Sequence, residues 1–354
     1  IFQVITDSCS IPCNSIHCPI FDSSIFLFRV IRVPEQFADD LLRIAHEIDS
    51  RSSYHLREEK DSLVLEMMPV SRVSYSAKRP VNVASVPQRS PFRYPGGKTW
   101  LIPYIRDWLR TKSSRPSRFV EPFGGGAIVS LTVGFENLAK HVIFSEVDPG
   151  VAAVWKVVLN GHAEWLAQQI IEYPLSEQRA RESLASNPKD VRQLAFQTIL
   201  RNRVQRGGIM APGAGLVKTG ENGRGINSRW YPETLARRIR EINQSKDRFS
   251  FQQADAFKLI QEHQADKDTC FYIDPPYTVA ARRLYVAWDV DHEKLFSQMA
   301  KCKGDFLMSY DNTVEVMKMA EKHGFEARSV AMKNTHHAKM NELLIGRDLS
   351  WIQL

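Results

Sequence analysis

The sequence has no apolar run near the roughly 18 to 20 residues that a helical bilayer crossing needs. Ile25 to Phe28 stops at Arg29, and the stretch after Phe119 is broken by glycines. No membrane span and no membrane partner are expected. Cysteine is scarce: Cys9, Cys13, Cys18, Cys270 and Cys302 make an odd set of five without framework spacing. That pattern excludes a disulfide scaffold and points to reduced thiols in a cytoplasmic compartment. The first three are spaced Cys-x3-Cys-x4-Cys, which matches neither paired zinc ligands nor the Cys-x3-Cys-x2-Cys of radical enzymes, so no metal site is expected. No basic stretch precedes an apolar core at the start, so no secretory leader is expected. The opening residue is Ile1, which points to a fragment or to a start site elsewhere.

Acidic excess is also lacking, with 47 Lys plus Arg against 40 Asp plus Glu, a net charge of +7 and a pI of about 9.1. This balance favours an anionic partner. Apolar residues at 43% and charged residues at 25% exclude a disordered or low-complexity chain. A length of 354 residues amounts to about two domains, or to one large domain with an insertion.

Residues 1–90 read as an extension and linker of unassigned role. They hold the cysteine trio, a helical spacing from Glu35 to Ile48 (Phe37, Leu41, Leu42, Ala45, Ile48), and a Ser-, Val-, Pro- and base-rich stretch from Pro69 to Ser90. From Phe92 onward short β-rich runs alternate with helical segments, the signature of an α/β fold with a mostly parallel sheet. Strands are predicted over Arg118–Pro122, His141–Glu146, Phe249–Gln253, Thr269–Ile273, Asp305–Tyr310 and Phe325–Val330, with helices opening near Ala127, Pro149, Ala256, Asp291 and Thr313. Some ninety residues separate the second strand from the third, so residues 151–246 are expected to form an insertion between the two parts, 91–150 and 247–354, of one domain. Inside it Asn187–Arg206 looks helical, Gly207–Arg229 is a glycine-rich loop, and Pro232–Gln244 is a helix opened by proline.

Four segments carry candidate chemistry. Phe92-Arg93-Tyr94-Pro95-Gly96-Gly97-Lys98 is a turn leading into a helix from Thr99 to Arg110. In Phe119-Val120-Glu121-Pro122-Phe123-Gly124-Gly125-Gly126 a strand passes into glycines, which let backbone approach a ligand and leave helix N–H groups to meet an anion. His141 to Glu146 ends a strand in a carboxylate about twenty residues later, the distance expected for a ribose diol in a dinucleotide-type fold. Phe271 to Tyr277 is a buried strand ending in Asp274-Pro275-Pro276-Tyr277, where two prolines remove two donors and fix the chain direction. Simpler readings stand beside these. Gly97-Lys98-Thr99 lacks the first glycine and the preceding strand of a phosphate loop, Glu146 could cap a turn, and Asp255 could be the N-cap of the helix from Ala256. Pro12-Cys13 superficially matches the nucleophile pair of cytosine C5 enzymes but lies upstream of every other motif.

In this order the motifs resemble the DNA adenine N6-methyltransferases of the Dam-like D12 class: Phe-x3-Gly-Gly-Lys, Glu-x-Phe-x-Gly-x-Gly and Asp-Pro-Pro-Tyr. The resemblance runs from Pro91 to the C-terminus. It implies a Rossmann-like S-adenosylmethionine-dependent sheet with an inserted, mainly helical DNA-recognition subdomain. It further implies S-adenosyl-L-methionine as cofactor and double-stranded DNA as partner, in a bacterial or phage-encoded monomer; a restriction endonuclease partner stays open. Residues implied to hold the cofactor are Tyr94, Gly97, Lys98, Glu121, Phe123, Gly124, Gly126, Glu146, Asp255 and Asp274. Asp274 and the carbonyl of Pro275 would accept the two N–H groups of an exocyclic amine, with Pro276 stiffening the turn and Tyr277 stacking on a flipped base. Arg201, Arg203, Arg206 and Arg224 are the expected DNA contacts, Arg203 on phosphate and Arg224 on a base. The basic stretch Arg72 to Arg89 is the next candidate. Asn202-Arg203 with Gly207 resembles the family's recognition passage, and Asn341-Glu342-Leu343-Leu344-Ile345 a late strand without chemistry of its own. Cytosine N4 or an RNA or protein amide remains as an alternative amine, though those relatives more often carry Ser or Asn at the position of Asp274. A catalytically inactive nucleic-acid-binding relative and an NTP-driven DNA-processing protein are the alternatives from other classes.

Overall fold

The computed structural model describes residues 86–93, 97–210, 214–276, 289–333 and 339–352, together with the backbone of five short upstream strands. The chain divides into two units, residues 1–74 and 75–354. In the first, β1 (Val4–Ile5), β2 (Val30–Val33), β3 (Tyr54–Glu59) and β4 (Ser62–Met67) form an antiparallel sheet in the order β1-β2-β4-β3. A further strand, β5 (Val73–Tyr75), spans the division. The sequence assigned no strand there. The expected helix from Glu35 to Ile48, the cysteine trio and most of the linker lie outside the described residues.

The boundary expected near residue 90 therefore lies upstream, and for a physical reason. Residues 86–93 belong to the second unit's core: Val86 and Phe92 are buried, and the Ser90 hydroxyl donates to the carbonyl of Gly126.

In the second unit seven strands follow one another: β6 (Arg118–Glu121), β7 (His141–Ser145), β8 (Phe249–Gln252), β9 (Thr269–Ile273), β10 (Asp305–Asp311), β11 (Glu326–Lys333) and β12 (Lys339–Gly346). Their order is β11-β12-β10-β9-β6-β7-β8, with β12 antiparallel to both its neighbours and every other pairing among β6 to β10 parallel. This is a mixed, Rossmann-like α/β sheet. Alternate residues feed two apolar clusters. Phe119, Val142, Phe144 and Tyr272 join one, while Val120, Ile143, Phe271 and Ile273 join the other. Strands buried on both faces read as unbroken apolar runs, which is why β6, β7 and β9 were legible.

The crossover helices begin where their caps stand. Helix α1 (Ile102–Arg110) follows a 3-10 turn, Lys98–Leu101, and α2 (Ile128–Phe135) follows β6. Asp148 caps α3 (Pro149–Leu159), accepting from the Val151 N–H at 2.9 Å. Asp291 caps α9 (His292–Lys301) and Thr313 caps α10 (Val314–Lys322) in the same way. Between β7 and β8 the chain also holds α4 (Ala163–Glu172), α5 (Glu177–Ala185), α6 (Val191–Val204) and α7 (Pro232–Gln244). The sequence located α6 and α7 but not α4 or α5. Ile199, Leu200, Leu235 and Ile239 of α6 and α7 share the cluster that holds Phe119 and Phe144. Among the described residues no helix is long and apolar enough to cross a membrane, and no group of His, Cys, Asp or Glu is placed to hold a metal ion.

Candidate active site

The chain leaves β6 to one side through β7 and β8 and returns to its other side through β9 and β10. The carboxyl ends of β6 and β9 thus flank the point where strand order reverses, where open α/β sheets bind their ligands. Glu121 closes β6, and Asp274 directly follows β9. The two carboxylates approach from neighbouring strands although 153 positions separate them in the sequence.

A buried lysine ties this crevice together. Lys98, on the 3-10 turn before α1, is only 4% exposed, and its Nζ lies 3.2 Å from Asp274 Oδ1 and 3.5 Å from Glu342 Oε2. Burial alone would lower the pKa of Lys98, yet the Asp274 and Glu342 carboxylates together raise it, so the ammonium stays charged. The Ser309 hydroxyl donates to the same Asp274 oxygen at 2.9 Å and shares a hydrogen bond of 2.8 Å with the hydroxyl of Tyr272. Glu342 was read as part of a strand without chemistry. The strand is there, but its carboxylate is buried against Lys98. Nothing in the local pattern of Asn341 to Ile345 marks it except a charge inside an apolar run, and that was the signal available.

Glu121 is also buried, with its Oε2 accepting from the Ser130 N–H at 2.8 Å. Burial pushes its carboxyl up to about 8, the hydrogen bonding from Ser130 opposes the rise and the Asp274 carboxylate adds to it. Burial thus favours its protonated form. Glu146 follows β7 and threads the glycine turn: its Oε2 accepts from Gly125 N–H at 3.0 Å, and its Oε1 from the N–H groups of Val147 and Asp148 at 2.8 and 2.9 Å. Burial raises its pKa against those three donors. Glu146 thus pins the turn whether or not its remaining lone pairs meet a ligand.

The glycine turn has a packing reason that the sequence did not disclose. Gly124 donates to the Ser145 carbonyl at 2.8 Å, and a Cβ on Gly124 would stand 2.9 Å from that same oxygen. Contact with β7 by itself therefore calls for glycine there, beside any room a ligand would need. Gly125 is left-handed (φ 48°), and its carbonyl accepts from Trp155 Nε1 at 2.9 Å. Phe123 is partly buried against the cluster of β9 and β10, and Gly97 is the exposed residue before the 3-10 turn. Asp255 caps α8 (Ala256–His263), its Oδ1 accepting from Phe257 N–H at 2.9 Å. Pro275 is buried and Pro276 half-buried at the rim. Tyr94 and Tyr277 lie outside the described residues.

The passage Asn202-Arg203 faces inward. Asn202 accepts from the Arg93 N–H at 2.8 Å and donates to the carbonyls of Arg93 and Gly208 at 2.9 and 3.1 Å. Arg203, 7% exposed, donates to the carbonyl of Pro91, and Arg238 donates to that of Ser90 at 3.0 Å. Two helices between β7 and β8 thus grip the segment that leads to Lys98. Gly208 is fixed by this grip, since a Cβ there would meet the Arg93 carbonyl at 2.2 Å. Arg203 was expected to meet phosphate; the structure buries it instead. Burial pushes it down to about 9, helped by the charges of Arg238, Arg93 and Arg229. Arg201 is half-buried near Gln197, while Arg206 and Arg224 are exposed. Arg224 lies over the ring of Tyr231 and donates to its hydroxyl at 3.1 Å.

Residues 94–190 match the D12 class N6 adenine-specific DNA methyltransferase family. The D12 match takes in Lys98, Glu121, the glycine turn and Glu146, while Asp274, Ser309 and Glu342 lie downstream of it. Over 68% of its length the chain is 22% identical to the modification methylase LlaI of Lactococcus lactis subsp. lactis, of which it spans 41%. Over 52% of its length it is 25% identical to the type II methyltransferase M.CviBI of Paramecium bursaria Chlorella virus NC1A, of which it spans 67%. Among solved structures it resembles the rRNA methyltransferase aviRa from Streptomyces viridochromogenes, at 15% identity and a TM-score of 0.35, over 79% of this chain and 98% of that one. At that likeness the strand order described above carries the fold assignment. The D12 resemblance read from the sequence motifs is thus matched by the family over residues 94–190, and the relatives are modification methylases at low identity.

Proposed function

We propose that this chain transfers a methyl group from S-adenosyl-L-methionine to the N6 amine of an adenine flipped out of double-stranded DNA. The observation that carries the reading is Asp274 at the switch point, held on one oxygen by both Lys98 and Ser309 and followed by two prolines. The lone pair of an aromatic exocyclic amine is delocalised into its ring. A carboxylate and a carbonyl that accept its two N–H groups draw that pair out of conjugation and offset the positive charge that develops on nitrogen. Asp274 and the Pro275 carbonyl are suited to those two tasks. The match to the D12 class N6 adenine-specific DNA methyltransferases and the likeness to modification methylases support the rest of the reading.

The residues present fit that cofactor on charge. Lys98 brings one positive charge against the carboxylates of Asp274 and Glu342, and Glu121 adds a buried carboxyl awaiting a cation. Glu121 would hold the ammonium of the methionine end and Glu146 the ribose hydroxyls. When bound, the cofactor supplies an electrophilic methyl on a sulfonium. Asp274 orients the target amine, and its carboxylate stands ready to receive the proton that the methylated nitrogen sheds. Residues 151–246 are the proposed target-recognition insertion, within which Arg206 and Arg224 are the exposed candidates for DNA contact.

The test is incubation of the protein with isotopically labelled S-adenosylmethionine and duplex DNA, followed by digestion to nucleosides. N6-methyladenosine is the expected product. Label in N4-methylcytosine would move the assignment to the alternative amine, and no label in DNA would remove the proposal. Methylome sequencing of an expressing host would then give the recognised site.

A further inference from the structure

We infer that Ser309 and Glu342 are positioning residues for the transfer step: with Lys98 they hold Asp274 in one orientation and keep a net negative charge behind it. The inference rests on the proposed function for the identity of that step. Its geometry stands by itself. Ser309 lies one residue beyond the register pair Met308↔Ile273 of β10 and β9, and so stands opposite Asp274. Glu342 lies on β12 opposite Asp311 of β10. Lys98 reaches both carboxylates from the far end of the motif that begins at Phe92.

Two consequences follow from how these groups share charge. Lys98 and Ser309 converge on Asp274 Oδ1, which fixes the carboxylate plane. Tyr272, through its hydrogen bond to Ser309, fixes the hydroxyl in turn. One ammonium between two carboxylates leaves the trio at −1. Were Glu342 neutral, Lys98 would cancel Asp274 within this trio, and less negative charge would face an amine becoming positive. Among the described residues, the charged or titratable groups around Asp274 include Lys98 from the 3-10 turn, Glu121 from β6, Tyr272 from β9, Tyr310 from β10 and, through Lys98, Glu342 from β12. The charge trio is Lys98, Asp274 and Glu342.

The two residues then act on Asp274 in opposite directions. Removing the charge of Glu342 leaves the ammonium undivided, which favours ionised Asp274. Removing the Ser309 donor takes a hydrogen bond from the ionised form, which disfavours it. A merely structural role would allow these shifts but would not tie kcat and its acid limb to them. The experiment follows the Asp274 carboxyl by 13C-detected titration in the intact chain, alongside steady-state kinetics. Glu342→Gln is expected to move the Asp274 titration to lower pH and Ser309→Ala to higher pH. Each is expected to lower kcat on the order of tenfold with KM for DNA little changed, and the acid limb of the kcat profile should follow the carboxyl. Ser309→Thr, which keeps the hydroxyl, should restore both readouts, and Ser309→Ala alone keeps the inference testable if Glu342→Gln fails to fold. Titrations that stay in place, or move together, would overturn it. Absence of methyl transfer by the wild-type chain would instead overturn the function above, with the titration still deciding this inference.

Discussion

Lys98 and Arg203 are two buried cations with opposite surroundings. Lys98 sits between two carboxylates, and its pKa is raised despite its burial. Arg203 sits among Arg93, Arg229 and Arg238, satisfies its N–H groups on the Pro91 carbonyl, and is pushed down to about 9. The first arrangement holds charge at the point where the sheet changes direction. The second holds chain geometry, because it locks the segment that carries Lys98. Burial of a charge by itself therefore says little about its task; the partner does.

Removing Asp274 should separate the two sites most strongly. Asp274→Ala leaves Lys98 paired with Glu342 and leaves Glu121 and Glu146 untouched, so cofactor binding by calorimetry is expected to survive. Methyl transfer should fall on the order of 10²-fold or more. Near-normal turnover would end the comparison, since the crevice would then have no catalytic centre.

Glu121 gives the next effect, through pH. Its folded pKa of about 8 stands above its ordinary value of 4.5, so the folded state binds the extra proton in between. Stability is therefore expected to fall as pH rises through that window, by up to about 1.4 kcal/mol per unit. Urea denaturation from pH 5 to pH 8 is the measurement, and Glu121→Gln should flatten the slope. Cofactor affinity in the wild type should rise over the same range, because a cation favours the ionised form.

The strands and the motif order were legible because buried parallel strands are unbroken apolar runs and because Asp274-Pro275-Pro276 is a stiff, improbable string. What was not legible depended on partners far away in the chain. Asn202 and Arg203 read as a basic recognition passage, yet they bind backbone 109 and 112 residues upstream. Glu342 read as strand because its lysine lies at the other end of the domain. Gly124 read as a place where backbone meets a ligand, and the sequence did not disclose that the Ser145 carbonyl of the adjacent strand also leaves no room for a Cβ. Composition marks a residue as charged or small; only the fold says against what.

Arg203 and Gly124 test that point at smaller scale. Arg203→Met is expected to cost about 1 to 3 kcal/mol of stability, because the buried Pro91 carbonyl loses its donors. The salt slope of DNA binding should stay unchanged. A slope reduced by about one unit would return Arg203 to the phosphate contacts. Arg206→Gln is the paired control, expected to leave stability alone and to reduce that slope. Gly124→Ala should cost about 1 to 3 kcal/mol through overpacking against β7, seen in thermal melting with no ligand present. Unchanged melting together with weakened cofactor binding would show that the ligand, not the strand, demands glycine.

The smallest expected effect separates two tasks of one residue. Asp255 caps α8 through Oδ1, and the same carboxylate was among the residues implied to hold the cofactor. Asp255→Ala removes both tasks and should cost about 1 kcal/mol of stability. Asp255→Asn keeps an acceptor that caps about as well, so it should restore stability while losing the charge and half of the acceptor capacity toward a ligand. If cofactor affinity is wild-type in Asp255→Asn, the residue is a cap and the crevice ends at Glu146. If stability returns and affinity does not, the binding surface extends past β8, and the comparison between charge-holding and chain-holding residues would have to admit one side chain that does both.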